Sequence, residues 1–231
     1  ELTEPEYIPL GTNVDSADGF SPTNDIDSLV YYPDEENEVL HVAVAGTLET
    51  DNFNGYALWL NVVGDDAPSG APAGTALGFD SEPIDYHYLT GSGVGNTSFT
   101  ADFEVDYALG ASPIESSSDT RAVAASYTGD TRTVTAIDTS DESGTPGMGP
   151  GPNGERVAFA HNNAEAPLTG VEFKIPFSEI GMSAGDDVQV FAVIASASGY
   201  FSNETIPGNA TLIDDAETDG GIVAAGGRFV D

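Results

Sequence analysis

Cysteine is absent from this 231-residue chain, so neither disulfides nor thiolate metal sites are open to it. Cations are nearly absent too: five Lys and Arg residues, with Lys174 the only lysine, stand against 39 acidic ones. The resulting formal charge of -34 excludes nucleic acid as a partner, because neutralising phosphates takes a basic stripe. No apolar run approaches the ~20 residues of a transmembrane helix. Also missing are HExxH, a GxSxG elbow and a phosphate-cradling glycine loop ahead of a helix. His41, His87 and His161 lie in or beside strand-like segments with no partner motif, so packed or edge histidines are expected rather than catalytic bases. The expectation is a protein that is not an enzyme.

What is present in excess is negative charge, spread along the whole length. Such a field opposes compaction unless salt screens it, and at molar salt the Debye length falls to about 3 Å. A halophilic, extracellular or cell-surface setting is therefore expected. Glu1 is not an initiator methionine and no signal peptide is seen, which reads as a mature, processed chain.

The clearest pattern runs from Val171 to Asn209. Val171, Phe173 and Ile175 alternate with Glu172 and Lys174, the period-two mark of a strand with one wet face. Pro176 ends that ladder, and residues 177–181 have room for one helical turn before a Gly185-Asp186-Asp187 corner. Residues 188–195 are apolar on both parities, as a central strand covered on both sides requires.

Further strands are expected at 28–32, 39–46, 56–63, 84–90, 99–107, 122–127, 131–137 and 156–160. Residues 128–130 read as a hairpin turn, 64–83 as an irregular connection and 138–155 as the longest exposed loop. No repeat and no helix of ten or more residues is visible. Short strands between Gly, Pro and Asp turns predict an all-β fold: a single antiparallel β-sandwich at 13–231, preceded by an extended segment at 1–12.

Several blocks resemble a known group. "GVEFKIPFSEIG", the Gly-Asp corner and "YFSNETIPG" are similar to the closing strands of secreted DOMON-like β-sandwiches, a group that includes the family 9 carbohydrate-binding modules. "DIDSLVYYPDEENEVLHVAVAGTLET", "ALWLNVVG" and "GFDSEPIDYHYLTG" extend the resemblance upstream. It implies a jelly-roll-like sandwich and brings no catalytic motif with it.

Two functions follow as expectations. One is a structural subunit of a surface assembly or filament, self-associating into a homopolymer. Its joint would be a donated strand, for which Leu2, Tyr7, Ile8 and Leu10 are candidates because Pro5 and Pro9 are tolerated only where one edge stays unpaired. The other is a secreted carbohydrate-binding module, with Tyr86, Tyr88, Tyr200 and Phe201 as aromatic contacts near loops; Trp59, on an apolar strand, is expected in the core. No cofactor is required. Calcium could use the oxygens of Asp15, Asp18, Asn24, Asp25 and Asp27, against which stands a simple solvated acidic turn. Asn96, Asn203 and Asn209 head N-glycosylation sequons.

Overall fold

The computed structural model describes residues 7–12, 24–48, 54–64, 69–73, 75, 100–101, 103–113, 120–129, 131–140, 147–161, 168–196, 201–206 and 223–224. Two antiparallel six-stranded sheets face each other, as an all-β sandwich requires. The first sheet takes β1 (Ile8–Thr12), β2 (Asp25–Asp34), β3 (Val39–Leu48), β11 (Leu168–Pro176), β10 (Arg156–His161) and β9 (Gly147–Pro150), side by side in that order. The second takes β13 (Phe201–Ile206), β12 (Asp187–Ser196), β4 (Asn54–Val63), β6 (Tyr107–Pro113), β7 (Thr120–Thr128) and β8 (Thr131–Ser140). A parallel pair, β5 (Thr100–Ala101) with β14 (Val223–Ala224), forms a separate two-stranded sheet.

Period-two burial builds the core between the sheets. Leu40, Val42 and Val44 of β3 and Val171, Phe173 and Ile175 of β11 turn inward, where they meet Tyr56, Leu58, Leu60 and Val62 of β4. Pro176 closes β11, and the expected helical turn follows as α1 (Phe177–Ile180). β12 is buried on both faces: Val188, Val190, Ala192 and Ile194 look into the core, whereas Phe191 and Val193 look the other way. What covers them is a second apolar layer, in which Ala71, Ala101, Phe103 and Val105 lie against Trp59, Val123 and Phe191. Trp59 is therefore fully buried, 6.0 Å from the Phe191 ring, on the outer face of the second sheet.

Two sequence expectations need correction. Residues 99–107 alternate cleanly yet are not one strand: β5 holds only residues 100–101, Phe103 lies in a bend, and Val105 makes an isolated bridge to Ala71. A segment laid across a sheet face can bury alternate apolar residues, here Ala101, Phe103 and Val105, just as a ladder strand does. The supposed loop at 138–155 contains β9, where Gly147 and Gly149 are buried while Met148 and Pro150 point outward. Proline fits there because β9 is the last strand of its sheet.

The covering segment also buries a carboxyl group. Asp106 is 3% exposed and accepts a 2.8 Å hydrogen bond from the Val62 amide. Burial, and to a lesser degree the charge of Glu104, push it up to about 6 despite the Val62 bond. A carboxyl with a raised folded-state pKa adds stability at low pH, and that contribution is lost as pH rises through about 6. Raising pH from about 5 to 7.5 at constant molar salt should therefore lower the melting temperature of the wild type more than that of Asp106→Asn. Parallel shifts in the two proteins would refute it.

Candidate functional site

The outer face of the first sheet is bare among the described residues, and strand register arranges it in rows. Ile8 is opposite Tyr31, which puts Tyr7 beside Tyr32; Tyr32 is opposite His41, and His41 is opposite Lys174. The next row runs Pro9, Val30, Ala43, Glu172, Ala160. Ser28, Ala45 and Gly170 form the third. Large side chains in the first row, with Val30 and Glu172 in the second, surround the small Ala43, Ala45, Ala160 and Gly170 and leave a trough across the strands. It has a volume of about 320 Å³, floored by Ala43, Ala45, Ala160 and Gly170 and bounded by Val30 and Glu172.

The floor is low for reasons the local sequence supplies. In β3 and β10 alanines occupy the outward parity, between the buried Val42, Val44, Val157 and Phe159. Gly170 has φ +152°, and a Cβ there would lie 2.8 Å from the Val44 carbonyl oxygen, so backbone strain and space both favour glycine.

Along the wall the side chains are linked. Tyr7 and Tyr32 have ring centroids 6.1 Å apart, and Tyr32 and His41 5.8 Å. His41 Nδ1 lies 2.8 Å from Glu172 Oε1, and the Tyr7 phenol donates to the same carboxylate. Lys174 Nζ stands 3.9 Å from Glu172 Oε1. The hydrogen bond with His41 is the main cause that holds Glu172 below the usual carboxylate range, overriding the effect of burial. Burial first, then the charge of Glu172 and the bond to it, push the Tyr7 phenol up to about 12. The wall thus holds a carboxylate that stays ionised, with an aromatic pair beside it.

The residues expected from sequence are placed differently. Tyr7 belongs to the trough wall, Leu10 packs on the main core and Ile8 is half-buried, so three of the four strand-donor candidates are used within their own chain; Leu2 lies outside the described residues. Tyr86, Tyr88 and Tyr200 also lie outside them, and of Phe201 only the backbone is described, opening β13 opposite Ala195. Asn203 falls within β13, whereas Asn96 and Asn209 fall outside the described residues. Of the calcium set, Asp15 and Asp18 are likewise outside, and Asn24 is buried at the head of β2. Asp25 and Asp27 are brought together: burial, then the charge of Asp25 and a hydrogen bond with it, raise the Asp27 carboxyl. Calcium takes six to eight oxygens, and among the described residues no group of three or more acidic or histidine side chains could hold a metal.

Sequence reasoning missed Tyr32, His41, Glu172 and Lys174 as one site. Parity alone put Glu172 and Lys174 on a wet face, but only register across three strands joins them to His41. In comparisons with known proteins, the chain matches no family model and no curated protein.

Proposed function

We propose that the protein is a carbohydrate-binding module of an extracellular, salt-rich setting, and that its ligand lies in the trough on the outer face of the first sheet. The observation that carries this reading is a small-residue floor edged by Glu172, with Tyr7, Tyr32 and His41 in the neighbouring row of the same sheet face, His41 and Tyr7 bonded to that carboxylate. Sugar rings present C–H groups on one face and hydroxyls around the rim. The first suits an alanine floor beside aromatic rings, and the second suits a fixed carboxylate and imidazole. The volume falls at the small end of the ~300–1,000 Å³ typical of small-molecule clefts, enough for one or two sugar units. The resemblance to DOMON-like sandwiches supports the same reading.

The test is calorimetry at molar salt with soluble polysaccharides: an α-glucan, a β-glucan, a xylan, a mannan and a polyuronate. Binding with a Kd of about 0.1–1 mM is expected for at least one, about −4 to −5.5 kcal/mol. Ala45 is exposed, so Ala45→Trp should fill the trough, abolish binding and change stability by no more than ~0.5 kcal/mol. Unchanged binding by that variant, or none by the wild type, would remove the proposal.

A second reading, a homopolymer subunit, keeps one observation in its favour. β1 and β13 end their sheets and contact each other, so a strand from another copy would extend either edge on the same side of the sandwich. Micrographs of purified protein at molar salt that show only monomers would dismiss it.

A further inference from the structure

We infer that the saccharide taken by the trough is acidic, and that Lys174 holds its carboxylate or sulfate group at the rim. This rests on the trough being a carbohydrate site; what it adds is the charge of the ligand.

The inference comes from accounting for donors and acceptors on the wall. Glu172 is already engaged, by His41 Nδ1 at 2.8 Å and by the Tyr7 phenol. Lys174 is held only by a long ion pair: its one approach among the described residues is the 3.9 Å to Glu172, longer than a hydrogen bond, and its side chain is 52% exposed. Among the described residues its three N–H donors make no hydrogen bond, so a ligand at the rim can take them. They stand in the row beside the trough, in register with His41 and two residues along β11 from Glu172. The cationic donor of this row among the described residues is the Lys174 ammonium, and a compact ammonium is a point-charge partner for an anionic substituent.

Composition sharpens the point. In a chain with 39 acidic residues, the sole lysine sits beside a carboxylate that two other donors already serve. The overall charge of -34 does not forbid an anion there, since at molar salt a Debye length of about 3 Å leaves only charges in contact to act. It also makes the test clean, because such a chain has no non-specific attraction for polyanions.

The experiment compares matched pairs of short oligomers at molar salt by calorimetry: galacturonate oligomers against their methyl esters, and sulfated dextran oligomers against plain ones. The wild type should prefer the charged member of at least one pair by roughly two- to fivefold, the range of an exposed ion pair. Lys174→Gln should abolish that preference while still binding the uncharged oligomer. Which pair shows it distinguishes carboxylate from sulfate. Equal binding within both pairs, or a preference that survives Lys174→Gln, overturns the inference and leaves the carbohydrate reading standing. No binding of any of the four overturns the inference, and the carbohydrate reading falls with it only if the neutral β-glucan, xylan and mannan also fail to bind.

Discussion

Moved from molar to millimolar salt, the protein is expected to unfold. Spread over a sphere of radius ~20 Å, a charge of -34 has a self-energy on the order of 15 kcal/mol at 1 M salt and on the order of 70 kcal/mol at 10 mM. An expanded chain relieves most of that. The difference of tens of kcal/mol exceeds the ~5–15 kcal/mol of net stability that holds a domain together. Circular dichroism during stepwise dialysis should show the β signal collapsing well before salt is removed. A melt with the same midpoint at both salt concentrations would refute the argument and the halophilic setting with it.

A comparably large loss is expected from Glu179→Ala. Glu179 is fully buried on α1, at one end of the core. Its carboxylate accepts from the Tyr107 phenol at 3.0 Å and from the Asn153 and Glu155 amides at 2.9 Å each, while its own carbonyl accepts from Asn153 Nδ2 at 2.7 Å. A Cβ at Gly151 would run into the carboxylate, so the 151–155 turn is fitted around it. Alanine leaves three buried or half-buried donors without an acceptor, at about 1–3 kcal/mol each, plus a void. A destabilisation of at least 3 kcal/mol follows, roughly 6–12 °C in melting temperature for a domain of this size. Glu179→Gln, which keeps one acceptor oxygen, should cost less. Equal melting temperatures for wild type and Glu179→Ala would show that the turn is held by something else.

How legible this molecule is from sequence depends on whether a feature is local. The strand pattern of β11, the single turn of α1 and the double-faced burial of β12 each follow from a few consecutive residues, and all three are found. The β7–β8 hairpin at Gly129 is found for the same reason. Residues 99–107 mislead because their alternation marks neither a pairing partner nor, at the buried Asp106, a wet face. β9 is hidden because Gly and Pro dominate it, and an edge strand can use residues that a central strand cannot. The trough is less legible still. Its floor is visible as alanines on one parity of β3 and β10, but its wall depends on which strand lies beside which. Glu179 shows the same limit: as one of 39 acidic residues it carries no mark of burial.

That dependence on register has a consequence for how the protein comes into being. His41 and Glu172 are separated by 131 residues, and Tyr7 lies farther still from its carboxylate partner. β3 receives β11 as a neighbour only after everything between them has been synthesised. Emerging from the ribosome, Tyr7, Tyr32 and His41 can meet across the consecutive strands β1, β2 and β3, but for most of translation they lack Glu172. Long-range pairing of this kind comes late in folding, because loop closure must precede it. The wall is thus complete only once β11 has docked on β3, and a chain that stops before Glu172 cannot present it whole. A ligand that binds the wall would favour the finished fold over every partial one, so its presence during folding would raise the yield of native protein.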